Sequence, residues 1–463
     1  MNCRHWLPCC VLALLAIKSN AQKQASVWLT AFDKSVLFQE QPPVSFAKKT
    51  DDTSAIVVDD QQSFQPIDGF GFALTGGSAQ HIVNMSAASR AALLQELFAT
   101  DKNNIGTSYL RVSVGASDLN DHVFSYDDLP AGETDTNLVH FDLGPDKTDV
   151  IPVLKEILAI NPNIMIMASP WSPPVWMKTN NDTRGGSLLP KYYDAYAKYL
   201  VKYIQVMQRE GIRIDAMTIQ NEPLHPGNNP SLLMPAIEQA AFIKASLGPV
   251  FKAAGITTKI IIYDHNADKP EYPISILNDA QAAQYVDGSA FHLYGGRIEA
   301  LSKVHDAYPN KNLYFTEQWV GAPGNFKKDI PDHLQKLIIG GTRNWSRTVI
   351  EWNLANNPEN KPYTDRGGCN RCLGAITIDK DSVARNPAYY IIAHAAKFVR
   401  PGSKRIASTS DNVLPNVAFK TPQGKTVLIV LNNTSASKNF NVVYKKKSIH
   451  AVLGPASAAT YVW

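Results

Sequence analysis

A chain of 463 residues is too long for one small core and calls for a large domain with a smaller companion. Its 44% hydrophobic and 19% charged residues exclude a disordered or fibrous protein. A formal net charge of +4, carried by dispersed lysines and arginines, argues against a nucleic-acid or acidic partner. The one dense basic run, Lys445-Lys446-Lys447, falls in a strand-like stretch and reads as a solvated edge.

In chain order, "MNCRHWLPCCVLALLAIKSNAQ" places Arg4 before an apolar stretch from Trp6 to Ile17, then Ser19-Asn20-Ala21. This is the pattern of a secretory leader, residues 1–21, cleaved near Ala21. It predicts a secreted or periplasmic protein. The apolar stretch is shorter than the ~20 residues a transmembrane helix needs, and no later segment approaches that length. Cys3, Cys9 and Cys10 leave with the leader, so Cys369 and Cys372 of "GGCNRC" remain. A lone CxxC is open to a redox pair or half a zinc site, but nothing nearby completes a zinc set. An oxidising compartment favours a disulfide closing a tight loop.

Residues 22–66 are strand-like. A regular alternation follows over 67–400: "GFGFALT", "SYLRVSV", "IMIMASP", "AMTIQNE", "KIIIYDH", "SAFHLYG", "LYFTEQW" and "VIEWNLA", separated by helical patterns such as the serine-capped "SAASRAALLQELFAT". Eight strand–helix units predict an α/β fold, a closed (β/α)8 TIM barrel, in preference to a doubly wound open sheet. From about residue 401 the pattern becomes short alternating strands broken by Asn, Gly, Pro and Ser, a β-sandwich signature. The N-terminal strands have no other partner and are expected to complete that sandwich with residues 401–463.

In such a barrel the chemistry lies where the strands end. The fourth run ends in Asn221-Glu222 and is stopped by Pro223; the seventh ends in Glu317. A carboxylate at the end of an apolar strand costs several kcal/mol unless it is paired or used. Two of them, three strands apart, face each other across the barrel mouth, which suits a pair flanking one glycosidic bond. Other strand ends carry Arg111, Asp118, Trp171, His265, His292, Tyr294, Trp319 and Trp352, groups that stack on sugar rings or read hydroxyls. No spacing in this set matches a metal site, and no cofactor is expected. Trp176 and Trp345 read as packing residues, Asp215 and Asp287 as surface caps at the opposite end, and "GFGFALTGG" as a tight strand-to-loop turn.

With these motifs in place the chain resembles glycoside hydrolase family 30, the family of glucosylceramidases and β-1,6-glucanases. The resemblance runs through "QPIDGFGFALTGGSA", "YLRVSVGASDL", "ASPWSPPVWMKTN", "TIQNEP", "FHLY", "YFTEQW", "EWNLA" and "AHAAKFVRPGSKRI", nearly the whole chain after the leader. It implies a retaining mechanism with Glu222 as general acid/base and Glu317 as nucleophile. It implies that Asn221 holds the sugar 2-hydroxyl, that Arg111 and Tyr294 surround the nucleophile, and that Asp118, Trp171 and Trp352 bind the sugar being cleaved. An acid working near neutral pH is expected to have a raised pKa. The family's first-strand pattern "GFGGA-T-DAA" is broken here by Phe72 and Gly76-Gly77, and Gln318-Trp319 replace the small residues that follow the nucleophile in animal glucosylceramidases. Trp319 therefore points to a β-1,6-glucan or related β-glucoside. Glucosylceramide is the alternative substrate, then xylan or a β-fucoside, and last a non-catalytic carbohydrate-binding role.

Overall fold

A computed structural model describes residues 24–48, 55–409 and 412–463. The leader, residues 1–21, lies outside the described residues.

Eight parallel strands close into a ring: Gly69–Leu74, Tyr109–Val114, Met165–Pro170, Ala216–Thr218, Lys259–Ala267, Val286–Gly296, Asn312–Glu317 and Ser346–Glu351. Each falls on one of the expected runs, although the fourth keeps only three ladder residues of its apolar stretch. We call them barrel strands one to eight. Their side chains alternate, so every second residue points into the barrel. Tyr109, Met167, Ala216, Ile261, Ala290, Tyr314 and Ile350 form an apolar floor. Two residues further along, the same inward positions are Arg111, Ser169, Thr218, His292, Thr316 and Trp352, all buried. A greasy floor thus carries a polar storey directly above it. In strand one, Gly71 is required by closeness, since a Cβ there would lie 1.7 Å from the Tyr109 carbonyl oxygen.

Helices wrap the ring. The Tyr193–Arg209 helix buries Tyr196, Tyr199, Leu200, Tyr203 and Met207 on one face, the helical spacing seen in the sequence. Each such side chain contributes about 1.5–3 kcal/mol by leaving water. The helix gives out just before Gly211, whose φ of +82° suits a residue without a Cβ. Ser86 caps the Ala87–Phe98 helix through the Ser89 amide, as its sequence predicts.

The second unit takes three strands from the N-terminal side (Gln24–Ala31, Gln39–Lys48, Ala55–Pro66) and six from the C-terminal side, between Lys404 and Val462. These are the strands expected of the sandwich. They pair as one closed ring of nine, with Ser26 opposite Val462, so among the described residues the sandwich faces are continuous and no edge is left bare. One set of their side chains forms a core of its own, while Trp28, Phe419, Ile429 and Leu431 on the other face join the hydrophobic cluster of the barrel. His394, on the last barrel helix, is clamped between the hydroxyls of Thr30 and Thr460 and joins the two units. Lys445, Lys446 and Lys447 are exposed.

Two of the acids behave differently from expectation. Asp215 and Asp287 do lie at the floor end of the barrel, but as partly buried strand anchors rather than surface caps. Asp215 accepts the Ile166 backbone N–H at 2.9 Å, and Asp287 accepts the Tyr314 hydroxyl at 2.6 Å. Trp345 stacks on His305 with ring centres 3.7 Å apart, and Trp176 donates to the Asp127 carbonyl, so both are packing residues as expected.

Candidate active site

The polar storey is organised around Arg111. Its guanidinium donates to Glu317 at 2.5 Å, to the Asn221 side-chain oxygen at 2.7 Å, to Asp264 at 2.8 Å and to Ser169 at 3.0 Å. A buried cation is tolerated only with such complete pairing. The second oxygen of Glu317 accepts the Tyr294 hydroxyl at 2.9 Å. Burial and the nearby Glu317 charge hold that phenol well above its ordinary pKa, so it stays a donor. Asn221, its oxygen engaged by Arg111, keeps its amide NH2 as the donor on the cleft side.

Glu222 sits where strand four runs out. Its φ is +44°, an uncommon and costly conformation for a residue with a side chain. The turn is held by its own N–H, which donates to the Asp264 carbonyl at 3.0 Å, and by its carbonyl, which accepts from the His225 amide at 2.8 Å. Pro223 follows and cannot donate to a ladder. The carboxylate lies 3.0 Å from His292 Nδ1 and 3.7 Å from His265 Nδ1, and Asn228 donates to its other oxygen at 3.4 Å.

His292 is shared. Its Nε2 faces Asp264 at 3.1 Å, and its Nδ1 faces Glu222 at 3.0 Å and Glu317 at 3.7 Å. Burial pushes the imidazole pKa down, but the Glu317 charge and the hydrogen bonds to Asp264 and Glu222 outweigh it and raise it to about 9. The same contacts overturn the expected raised pKa of Glu222. Burial does push that carboxyl up, yet the facing imidazoles of His265 and His292 hold it below the usual range. The raised carboxyl is Asp118, pushed to about 8 by burial and by the charges of Glu317 and Glu222.

Asp264 escaped the sequence reading. Counting alternate residues from Ile261 turns Tyr263 and His265 inward and Asp264 outward. A bulge intervenes, because Tyr263 pairs with Ala290 and His265 with the next residue, Phe291. The extra residue is Asp264, which swings into the barrel with φ of +63°. There it takes Arg111, His292 and the hydroxyls of Thr218 and Thr316 at 2.6–3.1 Å. Burial raises its pKa and Arg111 more than reverses that. The missed signal was an acid next to a strand-end histidine.

A cleft of ≈ 300 Å³ opens over this storey. Of the predicted residues, Asp118, Trp171, Asn221, Glu222, Tyr294, Glu317, Trp319 and Trp352 line it. Arg111, His265 and His292 do not; they stand behind the wall. Trp171 and Trp352 stack on each other with centres 5.4 Å apart, and Arg111 lies over Trp171 at 4.9 Å. Cys369 and Cys372 are disulfide-bonded, and their loop forms part of the cleft wall. His225 and Asn228, on the loop after Pro223, also line the cleft and were not predicted. Although no metal pattern is visible in sequence spacing, two strands and the turn after a third bring ligand atoms of Glu222, His265 and His292 within 4.8 Å of one another.

A (β/α)8 barrel with two buried glutamates converging on one cleft at its C-terminal rim has the form of a glycoside hydrolase. Residues 67–399 match the Glycosyl hydrolase family 30 TIM-barrel domain and residues 402–461 the Glycosyl hydrolase family 30 beta sandwich domain, so the chain belongs to that family and is a hydrolase. It is 34% identical over 424 residues to the endo-1,6-beta-D-glucanase neg1 of Aspergillus fumigatus, covering 86% of this chain and 85% of that protein. It is 29% identical over 450 residues to the lysosomal acid glucosylceramidase of Mus musculus, covering 90% and 85%. The solved structure of the endo-beta1,6-glucanase BT3312 superimposes with a TM-score of 0.89 at 36% identity, over 95% of this chain and 99% of that one.

Proposed function

We propose that the protein cleaves β-1,6-glucosidic bonds of a glucan with retention of configuration, Glu317 attacking the anomeric carbon and Glu222 serving as acid and then base. The observation that carries this reading is that both carboxylates address one nitrogen, His292 Nδ1, from 3.0 and 3.7 Å. The two oxygens can be no further apart than those two legs laid end to end. That ceiling falls at the bottom of the roughly 6.5–9.5 Å range of inverting enzymes, and a bent path falls below it.

Glu317 is aimed by Arg111 and Tyr294. Glu222 passes the proton it shares with His292 to the departing glycosidic oxygen, and an ester forms between Glu317 and the sugar. Esterification removes the Glu317 charge that holds the proton on His292, so the Glu222–His292 pair can release it. Glu222 then takes a proton from water, and the resulting hydroxide opens the ester. Asp118, protonated below about pH 8, can donate to a sugar hydroxyl without adding a third negative charge.

The glucan substrate is supported by the endo-1,6-glucanases among the similar proteins and by Trp319, an aromatic face beside the nucleophile fit to meet a second sugar. The leader pattern and the Cys369–Cys372 disulfide support action outside the cytoplasm. Incubation with β-1,6-glucan, followed by NMR of the first-formed anomer, should show the β form. An initial α product would overturn retention. Faster release of glucose from glucosylceramide than from the glucan would overturn the substrate.

A further inference from the structure

The two histidines facing Glu222 do something the hydrolytic cycle does not require. His265 Nδ1 has no hydrogen-bond partner although the residue is only 7% exposed. It points at the same carboxylate oxygen as His292 Nδ1, from 3.7 and 3.0 Å. Four ligands at about 2.0–2.1 Å around a tetrahedral ion stand about 3.3 Å from one another; the two edges that meet at Glu222, 3.0 and 3.7 Å, bracket that length, and all three atoms lie within 4.8 Å of one another. His292 is already oriented as metal-binding histidines are, its far nitrogen facing a buried carboxylate, Asp264, at 3.1 Å. Two imidazoles and one carboxylate suit zinc or copper rather than calcium or magnesium.

We propose that Glu222, His265 and His292 form a binding site for a divalent transition ion, and that Zn2+ or Cu2+ held there is a reversible inhibitor competing with substrate. The ion takes the place of the proton between His292 Nδ1 and Glu222, and that proton leaves to solvent. Its fourth position faces the cleft where the departing oxygen would stand, so metal and substrate exclude each other. The inhibition rests on the acid role proposed above for Glu222; the binding does not.

Chelator-treated protein is titrated with ZnCl2 in a calorimeter and with CoCl2 by visible absorption, and β-1,6-glucan hydrolysis is followed with and without Zn2+. The expected result is one tight zinc per chain, intense tetrahedral cobalt bands, an apparent KM that rises with Zn2+ at constant kcat, and full reversal by EDTA. His265→Ala and His265→Gln, each checked for an unchanged melting temperature in the absence of metal, should weaken zinc binding by at least about 10-fold. The site is refuted if no zinc binds, if cobalt shows only weak octahedral bands, or if a folded His265 variant binds zinc as the parent does. Tight binding in a protein inactive on every glucan would sink the functional reading and leave the metal site standing.

Discussion

Two glutamate–histidine pairs are buried at the C-terminal ends of barrel strands, and only one of them meets a cleft. Glu351 ends strand eight, faces outward, and accepts His333 Nδ1 at 2.8 Å in the helix layer; its second oxygen has no partner. Glu222 faces inward at a strained φ, with its histidines on one side and open space on the other. Burial raises the pKa of Glu351 more than His333 lowers it, whereas for Glu222 two imidazoles win. A strand-end acid is therefore no mark of a site by itself. The direction it faces decides; strand parity sets it for Glu222 and Glu351, whereas register shifts turn Glu317 and Asp264 inward against their parity.

The sharpest way to break this contrast is to remove charge from each side in turn. Glu317→Gln should lower kcat on β-1,6-glucan by about 10⁴-fold or more, with a lowered melting temperature because the buried Arg111 loses one of its two counter-charges. Glu222→Ala should cost about 10²–10⁴-fold on the glucan but far less on an aryl β-glucoside with a good leaving group, and azide should restore turnover as a glycosyl azide. Absence of rescue would contradict the acid/base role. On the outward pair, Glu351→Gln should destabilise the fold by about 3–5 kcal/mol, read by denaturant melts, while kcat per folded molecule stays within twofold.

Two pH experiments refine the comparison further. As pH rises through about 8, Asp118 ionises beside Glu222 and Glu317, so kcat/KM should fall there. In Asp118→Asn that alkaline limb should move towards about 9, where His292 loses its proton. The smallest effect belongs to the outward pair. Burial pushes His333 down, but the Glu351 charge outweighs it and raises its pKa. Both groups thus hold protons more tightly folded than unfolded. Their contribution to stability is fully present at low pH, declines from Glu351's ordinary 4.5 upward, and is gone above the raised His333 value. His333→Gln should remove the imidazole's part of this slope and leave Glu351 raised further, because His333 is what holds that carboxyl down.

Much of the fold was legible because burial on both faces leaves a strong mark. "KIIIYDH" and "LYFTEQW" read as strands whatever their partners, and the switch to short alternating runs near residue 401 showed a second unit. The glutamates were legible because Pro223 and the end of the apolar run frame Glu222 so tightly. What escaped was set by local irregularity or by loops. A single inserted residue reversed the facing of Asp264 and hid the anion that ties Arg111 to His292. His225 and Asn228 sit on a loop whose path no periodicity announces. The pKa of Glu222 was misjudged because its cause, two imidazoles from two other strands, is a tertiary fact.

One consequence of the nine-strand ring concerns the birth of the molecule. Apart from the pairing of the first two with each other, the strands up to residue 66 have neighbours only among those after residue 404, and Ser26 waits for Val462, 436 positions away. Until the strands after residue 404 emerge from the ribosome, the first three strands carry unpaired edges, and the barrel must take shape between two halves of an unfinished companion. Such long-range closure is slow and exposes sticky edges. The finished ring therefore acts as a clasp whose fastening reports that the segments on both sides of the barrel have arrived.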